Sequence, residues 1–310
     1  MSDPLPILSA LLPLFGLILV GRLLAGIDFP GPGFWPQLER FIYFVLFPAL
    51  LIEGLGTAAL DAARIPPMLT AAALTLGAGS VLAYLLRPLL RLSGPAFSSL
   101  YQGGIRFNTY LGIAVVLTVF GEGAMAVTAL TIALMVPLIN VACVLVLARH
   151  AGARQSPGRI LLSLAGNPLI IGCGAGLALN LSGIGLHPWL ATGLDTAGSA
   201  AVPLGLMSVG AGLHIGRMRS DTLAIALGSL LKLLALPAIA WAAAGAVGLN
   251  PLETQVLVVF AALPTATSAY ILARQMGGDH GLLAGILTVQ TALAAVTLPL
   301  VLTMLASHGG

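Results

Sequence analysis

One apolar stretch of the chain, residues 97–121, carries four polar side chains near its centre. Arg106, Asn108, Thr109 and Tyr110 lie between glycines in a segment that is otherwise long and apolar enough to cross a bilayer. A helix that faces lipid does not tolerate such a group. Because a cation buried in an apolar helix usually marks the pathway of an ion or a substrate, we expect these four residues to contact a polar ligand.

A second apolar stretch, residues 252–275, contains a proline with hydroxyl side chains around it. Pro264 removes a backbone donor, and Thr265, Thr267 and Ser268 offer hydroxyls to the backbone groups that this frees. Each stretch is therefore predicted to be an interrupted helix. An interrupted helix leaves the N-terminus of its second half inside the bilayer, where the helix dipole favours an anion. Two such ends, with the arginine of the first stretch, predict a binding site for an anion and most simply for a carboxylate.

Further polar residues lie in other apolar segments. The amides of Asn140, Asn167 and Gln290 either bind the ligand or join neighbouring helices, and the sequence leaves both interpretations open. We include Asn140 and Gln290 among the expected ligand contacts. Lys232 either supports the site as an ion-coupling or charge-balancing group, or it snorkels to the membrane surface or pairs with a carboxylate such as Glu53. Glu53 is also the best candidate for a proton-coupling carboxylate, although it is near the end of its segment.

Several kinds of catalytic and metal site are not expected. The histidines lie at the ends of apolar segments or between them, so none is placed to activate a buried serine. Cys143 and Cys173 have no CxxC partner, which indicates packing residues rather than a zinc site or a disulfide framework. The sequence contains no GxxxxGK[ST] loop for ATP. We expect neither an enzyme nor a bound cofactor or metal, and sodium, a proton or no coupling ion at all remain as alternatives.

The composition identifies lipid as the main solvent of the chain. Of its 310 residues, 58% are hydrophobic and only 7% are charged, which is too few polar side chains to cover a water-soluble globule of this size. Continuous apolar runs of about twenty residues are typical of transmembrane helices, whereas barrel strands would alternate. We predict an all-α membrane protein with ten transmembrane helices. The predicted spans lie near residues 5–25, 36–56, 67–87, 97–120, 123–148, 160–181, 190–213, 221–247, 253–275 and 280–306.

Basic residues concentrate in alternate links between these spans. The odd-numbered links hold ten of the 13 lysine and arginine residues, and the even-numbered links hold only Arg64. Because cytoplasmic links collect basic residues, the odd links are expected in the cytoplasm and both termini outside. The same residues are scattered singly, which argues against a nucleic-acid partner. The ten are Arg22, Arg40, Arg87, Arg91, Arg149, Arg154, Arg159, Arg217, Arg219 and Arg274.

The two halves of the chain show a weak internal repeat. A constant offset of 155 residues relates helix-breaking residues of the two halves, and it also aligns residues 106–110 with residues 261–265. Since each half holds five predicted spans, an odd number, the second half must enter the membrane upside down relative to the first. We therefore expect an inverted repeat of residues 1–155 and 156–310 within one transmembrane domain. The matched breakers are Pro13 with Pro168, Gly21 with Gly176 and Pro48 with Pro203.

Three segments carry a resemblance to a known family. They read IRFNTYLGIAVVLTVFGEGA at residues 105–124, FPALLIEGL at residues 47–55 and ALPTATSAYILARQMGGDHGLLAGILTVQTALAAVTLPL at residues 262–300. Together they resemble the bacterial auxin efflux carrier family, which includes malonate and malate carriers. The Arg-x-Asn-Thr stretch at residues 106–109 and the Pro-Thr-x-x-Ser to Gly-Gly-Asp run at residues 264–279 are the most specific parts of the resemblance.

The resemblance implies a fold similar to that of bile-acid symporters, with helices 4 and 9 broken and crossing. It also implies a scaffold of helices 1, 2, 6 and 7, against which a core of helices 3–5 and 8–10 moves as an elevator. The implied function is secondary transport of a small organic anion, of the malonate, malate or auxin type, across the bacterial inner membrane. The expected partners are that anion and the lipid bilayer, with a homodimer left open. An anion channel and a membrane sensor without transport are the alternatives.

Overall fold

A computed structural model of the chain describes residues 4–58, 62–152, 165–213 and 222–308, together with residues 158 and 162. Within these ranges the chain is helical and contains no β-strand. The helices are α1 (Pro4–Gly26), α2 (Phe34–Phe41), α3 (Phe47–Gly56), α4 (Ile65–Leu90), α5 (Gly94–Ile105), α6 (Thr109–Phe120), α7 (Met125–His150), α8 (Pro168–Leu181), α9 (Pro188–Ser199), α10 (Ala201–Ala211), α11 (Thr222–Leu230), α12 (Leu236–Val247), α13 (Pro251–Ala262), α14 (Thr267–Met276) and α15 (His280–His308).

Two pairs of helices are continuous through a wider turn of helix. A π-helical turn at Ile42–Leu46 joins α2 to α3, and another at Leu231–Ala235 joins α11 to α12. A proline follows each turn, Pro48 in α3 and Pro237 in α12. Because a proline ring clashes with the carbonyl of the preceding turn, widening that turn lets the helix continue.

Six helical segments in the described part of the chain are long and apolar enough to cross a membrane, namely α1, α4, α5–α6, α7, α11–α12 and α15, and the bent pair α13–α14 makes a seventh. The predicted all-α membrane class is confirmed. The three other predicted spans, near residues 36–56, 160–181 and 190–213, hold shorter helices, so the count of ten stays a prediction. The boundary near residue 155 and the basic residues Arg154, Arg159, Arg217 and Arg219 lie outside the described residues.

The helices pack in two groups. In the first group, which we call the panel, α1 packs on α10, and α3 packs on α8 and α9, with α2 completing the group through its contact with α10. In the second group, which we call the core, α4 packs on α12 and α7, and α5 packs on α7 and α15. The remaining helices of the core are α6, α11, α13 and α14.

Glycines bring the backbones of the panel into direct contact. A Cβ on Gly21 of α1 would lie 1.9 Å from the carbonyl oxygen of Met207 in α10. A Cβ on Gly210 of α10 would lie 1.7 Å from the carbonyl oxygen of Ile18 in α1. Since no side chain fits at either position, small residues set the distance between these two helices, as they do in many membrane proteins.

An ion pair joins two helix starts at one end of the core. Arg64, which precedes α4, donates from its Nε to Glu253 Oε1 over 2.7 Å, and Glu253 lies in the first turn of α13. Glu253 also closes a capping box with Asn250, so its carboxylate serves the helix start and the ion pair at once. Glu253 is buried, and Arg64 therefore supplies the charge that a buried carboxylate needs.

Candidate anion-binding site

The first polar stretch interrupts its helix as the sequence predicts. Helix α5 ends at Ile105, and Arg106 follows in an extended conformation with ψ 153°. Helix α6 restarts at Thr109, where the side chain of Asn108 accepts a hydrogen bond of 3.2 Å from the amide of Leu111. This N-cap explains why an asparagine in an apolar segment restarts the helix. Arg106 therefore lies in the interruption itself.

The second polar stretch is interrupted as well. Helix α13 ends at Ala262, the chain runs extended through Leu263, and α14 begins at Thr267. The two helices are bent by 50° at this point. The N-cap residue of α14 is Ala266, which has no side chain that caps the helix. The start of α14 is thus open to an acceptor from elsewhere in the molecule or from a ligand.

The two interruptions contact each other. The amide of Asn108 donates a hydrogen bond of 2.8 Å to the carbonyl of Pro264, so one extended segment satisfies the other. The hydroxyl of Thr265 donates to the carbonyl of Gly103 over 2.7 Å. These bonds tie α5–α6 to α13–α14 at the level where both helices are broken.

Gln290 of α15 holds this junction from behind. Its Oε1 accepts a hydrogen bond of 2.9 Å from the amide of Thr265, and its Nε2 donates to the carbonyls of Gly103 at 2.9 Å and Gly228 at 3.3 Å. Gln290 and Thr265 are fully buried. Of the two interpretations left open for Gln290, the geometry favours the bond between helices over the contact with a ligand.

A cavity of about 600 Å³ opens beside this junction, between the panel and the core. Seven of the predicted site residues line it, namely Arg106, Asn108, Thr109, Tyr110, Asn140, Thr267 and Ser268. The panel contributes its opposite wall, with Pro36, Glu39, Arg40, Tyr43, Phe44, Asn167 and Leu169. Apolar residues of α7 and α14 complete the lining, with Val136, Ile139, Val144, Ile271 and Leu272 among them.

Two arginines and one carboxylate lie in the cavity wall. Arg106 donates from Nη2 to Asn140 Oδ1 over 2.9 Å, which fixes the guanidinium against α7. Its Nε has no hydrogen-bond partner among the described residues. Arg40 is exposed on the panel side, and Glu39 beside it accepts a hydrogen bond from the hydroxyl of Thr267. Positive side chains therefore outnumber negative ones in this wall.

Three helix N-termini border the same cavity. Residues at or next to the starts of α6, α8 and α14 line it, among them Thr109, Leu169 and Thr267. Asn167 caps α8 by accepting from the amide of Leu169 over 2.9 Å. Each N-terminus carries a partial positive charge, and together with Arg106 they make the cavity favourable for an anion. The starts of α6 and α14 were predicted from the sequence, whereas the start of α8 was not.

Tyr110 joins the core to the panel at the edge of the cavity. Its ring stacks on Phe47 of α3 with centroids 4.5 Å apart and planes inclined by 5°. A Cβ on Gly205 of α10 would lie 2.8 Å from the Tyr110 ring, so this glycine makes room for the aromatic side chain. Tyr110 is thus a contact between the two groups of helices as well as part of the cavity wall.

Five predicted residues lie away from the cavity wall. Pro264, Thr265 and Gln290 form the junction behind it. Lys232 is fully buried in the π-helical turn of the core, with Nζ 6.0 Å from the centroid of the Phe107 ring.

Glu53 lies away from the cavity as well, in the last turns of α3. Its side chain contacts the hydroxyl of Thr57 at 3.3 Å, and the suggested pair with Lys232 is wrong, because Lys232 Nζ has no hydrogen-bond partner in the described part of the chain.

On the panel side of the site only Asn167 was a candidate from the sequence, and the residues of α2 were not predicted. Glu39, Arg40 and Tyr43 lie near the start of a predicted span, where charges are usually attributed to the membrane surface. The available signal was spacing, since Glu39 and Tyr43 are four residues apart and so share one helix face. Only the packing of α2 beside α14 reveals that this face meets Thr267.

Comparison with known proteins finds similarity to membrane transporters. Residues 153–302 match the family described as "Membrane transport protein". A protein of Rhizobium meliloti (strain 1021) named "Putative malonate transporter" is 26% identical over 305 residues, which cover 94% of this chain and 93% of that protein. A protein of Methanocaldococcus jannaschii, named only as an uncharacterized transporter, is 26% identical over 276 residues, covering 85% of this chain and 87% of that protein. Residues 153–302 therefore match a family of membrane transport proteins, the auxin efflux carrier family, and together with the two relatives named as transporters this match points to a transporter rather than an enzyme.

Proposed function

We propose that the protein is a secondary transporter for a small organic anion, most simply a carboxylate, which binds in the cavity between the panel and the core. The observation that carries this proposal is the convergence of three helix N-termini and the Arg106 guanidinium on one cavity. Charged hydrogen bonds and helix dipoles both favour a ligand with negative charge. Asn108, Thr109, Tyr110, Asn140, Thr267 and Ser268 supply the surrounding polar contacts.

The size of the cavity agrees with a small ligand. A volume of about 600 Å³ is within the range of sites for small molecules, and much of the wall is apolar. A mono- or dicarboxylate with a short carbon chain leaves room for water and for the change of shape that transport needs. Because one relative bears the name of a malonate transporter, malonate is the first probe to use.

Contacts between the ends of helices support ten spans. The amide of Asp279 donates to the carbonyl of Pro95 over 3.2 Å, which joins the ninth predicted link to the third. Arg64 pairs with Glu253, which joins the second link to the eighth. Odd links therefore contact odd links and even links contact even links. A span miscounted between these links would bring links of opposite parity together, so the pattern supports the number of crossings between them. The placement of both termini on the outer face of the bacterial inner membrane rests on the basic residues of the odd links.

Helix bounds support an inverted repeat with an offset two residues longer than the predicted 155. Helix α4 and the segment α11–α12 begin at residues 65 and 222 and end at residues 90 and 247, an offset of 157 at both ends. Helices α5 and α13 begin at residues 94 and 251 and end at residues 105 and 262, again an offset of 157. Arg106 therefore corresponds to Leu263, and both are the extended residues that follow their helices. This equivalence makes α5–α6 and α13–α14 the crossing pair of the proposed fold.

The arrangement of the two groups supports alternating access. The cavity has one wall on the panel and the other on the core, so moving one group against the other changes which side of the membrane it opens to. The panel is closely packed through Gly21 and Gly210, which favours a rigid scaffold. The core would then carry the bound anion as an elevator.

Counterflow in proteoliposomes tests this function. Vesicles loaded with unlabelled malonate, and in parallel with acetate, succinate or malate, should take up labelled malonate transiently and saturably. Parallel runs with a sodium gradient, a proton gradient and neither would identify the coupling ion. Ohmic single-channel currents instead of counterflow would favour an anion channel, and anion binding without any flux would favour a sensor.

A further inference from the structure

Among the described residues that line the cavity, Glu39 is the one carboxylate. It belongs to α2 of the panel, whereas its hydrogen-bond partner Thr267 is the first residue of α14 in the core. The bond therefore spans the interface between the two groups of helices. The hydroxyl that Glu39 binds lies at the start of α14, where Ala266 supplies no side-chain cap for the backbone amides.

We propose that Glu39 is an internal competitor of the transported anion, and that its carboxylate must accept a proton before the anion binds at the start of α14. This inference rests on the proposed function. In the unloaded protein the Glu39 carboxylate occupies the place at Thr267 that a ligand carboxylate would take, and it fastens the core to the panel. Protonation removes the charge that repels the ligand and weakens the bond that holds α14.

The other charged groups of the cavity fit this role. Arg40 lies beside Glu39 on α2, and Arg106, in the interruption of α5–α6, lines the same cavity. Tyr43 and Tyr110 are the remaining titratable groups in the wall, and both are neutral phenols. Helix α10, which packs on α2, contains no titratable residue. The ionised Glu39 thus offsets one of two positive charges, and its protonation leaves both for the anion.

Two hydrogen-bond donors in the same wall have no acceptor among the described residues. Asn108 is buried, and its Nδ2 has no hydrogen-bond partner among the described residues. The Nε of Arg106 likewise has no hydrogen-bond partner among the described residues. A ligand carboxylate that displaces Glu39 from Thr267 would satisfy donors that Glu39 leaves unbonded. The ligand therefore gains hydrogen bonds from Asn108 and Arg106 that the Glu39 carboxylate does not make, and these bonds favour the ligand over Glu39.

The consequence for transport is that protonation of Glu39 controls when the core moves. An unloaded core remains fastened to the panel by the ionised carboxylate, so it does not move alone. Once Glu39 has accepted a proton and the anion is bound, the core is released and carries the anion, while the proton stays on the panel. Movement of the loaded core is therefore favoured when the side of the membrane that the cavity faces is more acidic.

Equilibrium binding of malonate to the purified full-length protein tests this inference, measured from mildly acidic to mildly basic pH. As pH rises, ionised Glu39 increasingly occupies the site, so wild-type affinity should weaken by up to about tenfold for each pH unit. In Glu39→Gln the slope should vanish apart from the titration of malonate itself, and affinity at neutral pH should exceed that of the wild type. Glu122→Gln, which removes an exposed carboxylate outside the cavity, is the matched control and should keep the wild-type slope.

Three outcomes would overturn the inference. One is an equal pH slope in wild type and Glu39→Gln, and another is loss of malonate binding in a folded Glu39→Gln protein, since Glu39 would then be needed for binding. The third is loss of the slope in Glu53→Gln instead, which would identify Glu53 as the proton site. If Glu39→Gln does not fold, Glu39→Ala provides the same test. Absence of binding of malonate, acetate, succinate and malate to every protein at any pH contradicts the proposed function itself, and this inference with it.

Discussion

The backbone amide of Asn108 donates a 2.8 Å hydrogen bond to the carbonyl of Pro264, and these residues lie 156 positions apart in the chain. Each residue belongs to a segment that has left its helix. A backbone group exposed in a bilayer is costly, so two interrupted helices are stable there only if their open segments satisfy each other or face a polar cavity. This protein does both, and the cavity beside the junction is where the anion is proposed to bind.

Replacing Arg106 with glutamine should weaken malonate binding by about 10- to 100-fold, because a hydrogen bond to a charged group contributes about 1.5–3 kcal/mol. The matched control is Arg149→Gln, which removes an exposed arginine from the last turn of α7, outside the cavity. Its affinity should equal that of the wild type. Isothermal titration of both variants checks this, and equal affinity in Arg106→Gln and wild type would argue against the assigned site.

Two substitutions of Asn108 separate its role in folding from its role in binding. Asn108→Asp keeps an acceptor for the amide of Leu111, so the melting temperature should stay near that of the wild type. Its negative charge should nevertheless lower malonate affinity by at least about tenfold, since like charges repel across a binding site. Asn108→Ala should lose both the cap, at about 1 kcal/mol, and part of the binding. Tight binding of malonate by Asn108→Asp would contradict the role of Asn108 in the site.

Gln290 should affect stability rather than binding. Gln290→Leu leaves the carbonyl of Gly228 and the amide of Thr265 without their partner, which should cost about 1–3 kcal/mol for each buried group left unsatisfied. Thr291→Val on the same helix is the control, because the hydroxyl of Thr291 bonds only to Leu287 of its own helix. Thermal unfolding in detergent should show a lower melting temperature for Gln290→Leu alone. A large change in KM with unchanged stability would instead assign Gln290 to the ligand.

Replacement of glycine by alanine should have opposite effects at two positions of α1. Gly21→Ala would place a methyl group 1.9 Å from the carbonyl oxygen of Met207, so α1 and α10 must separate and the folded yield should fall sharply. Gly16→Ala meets nothing within 4 Å and should be neutral or slightly stabilising, because alanine is the better helix former. Size-exclusion profiles of the two variants provide the comparison. A wild-type profile for Gly21→Ala would show that this close contact is absent from the folded protein.

Patterns along the chain were sufficient to predict the helices and their interruptions. A proline with nearby hydroxyls indicates a broken helix, and so does a cluster of polar residues in an apolar segment. Both features are local, so they can be recognised from the sequence alone. The N-cap of α6 at Asn108 belongs to the same class of local signal. The pairing of the interruptions with each other followed from the repeat and from resemblance rather than from any single residue.

Properties that depend on packing between distant segments were not predictable in this way. Glu39 becomes part of the cavity only because α2 lies beside α14, and no feature of its own segment indicates this. Lys232 and Glu53 were a plausible pair on charge alone, yet they lie on separate helices and do not meet. Thr265 and Gln290 have the chemistry of ligands, but burial behind the wall commits them to the junction.

The most direct test of the account is a structure of the protein determined with saturating malonate at mildly acidic pH. We expect density for malonate between Arg106, Asn108 and the start of α14, with the Glu39 side chain no longer bonded to Thr267. Density for malonate at another place in the protein, with this cavity empty, would contradict the central claim.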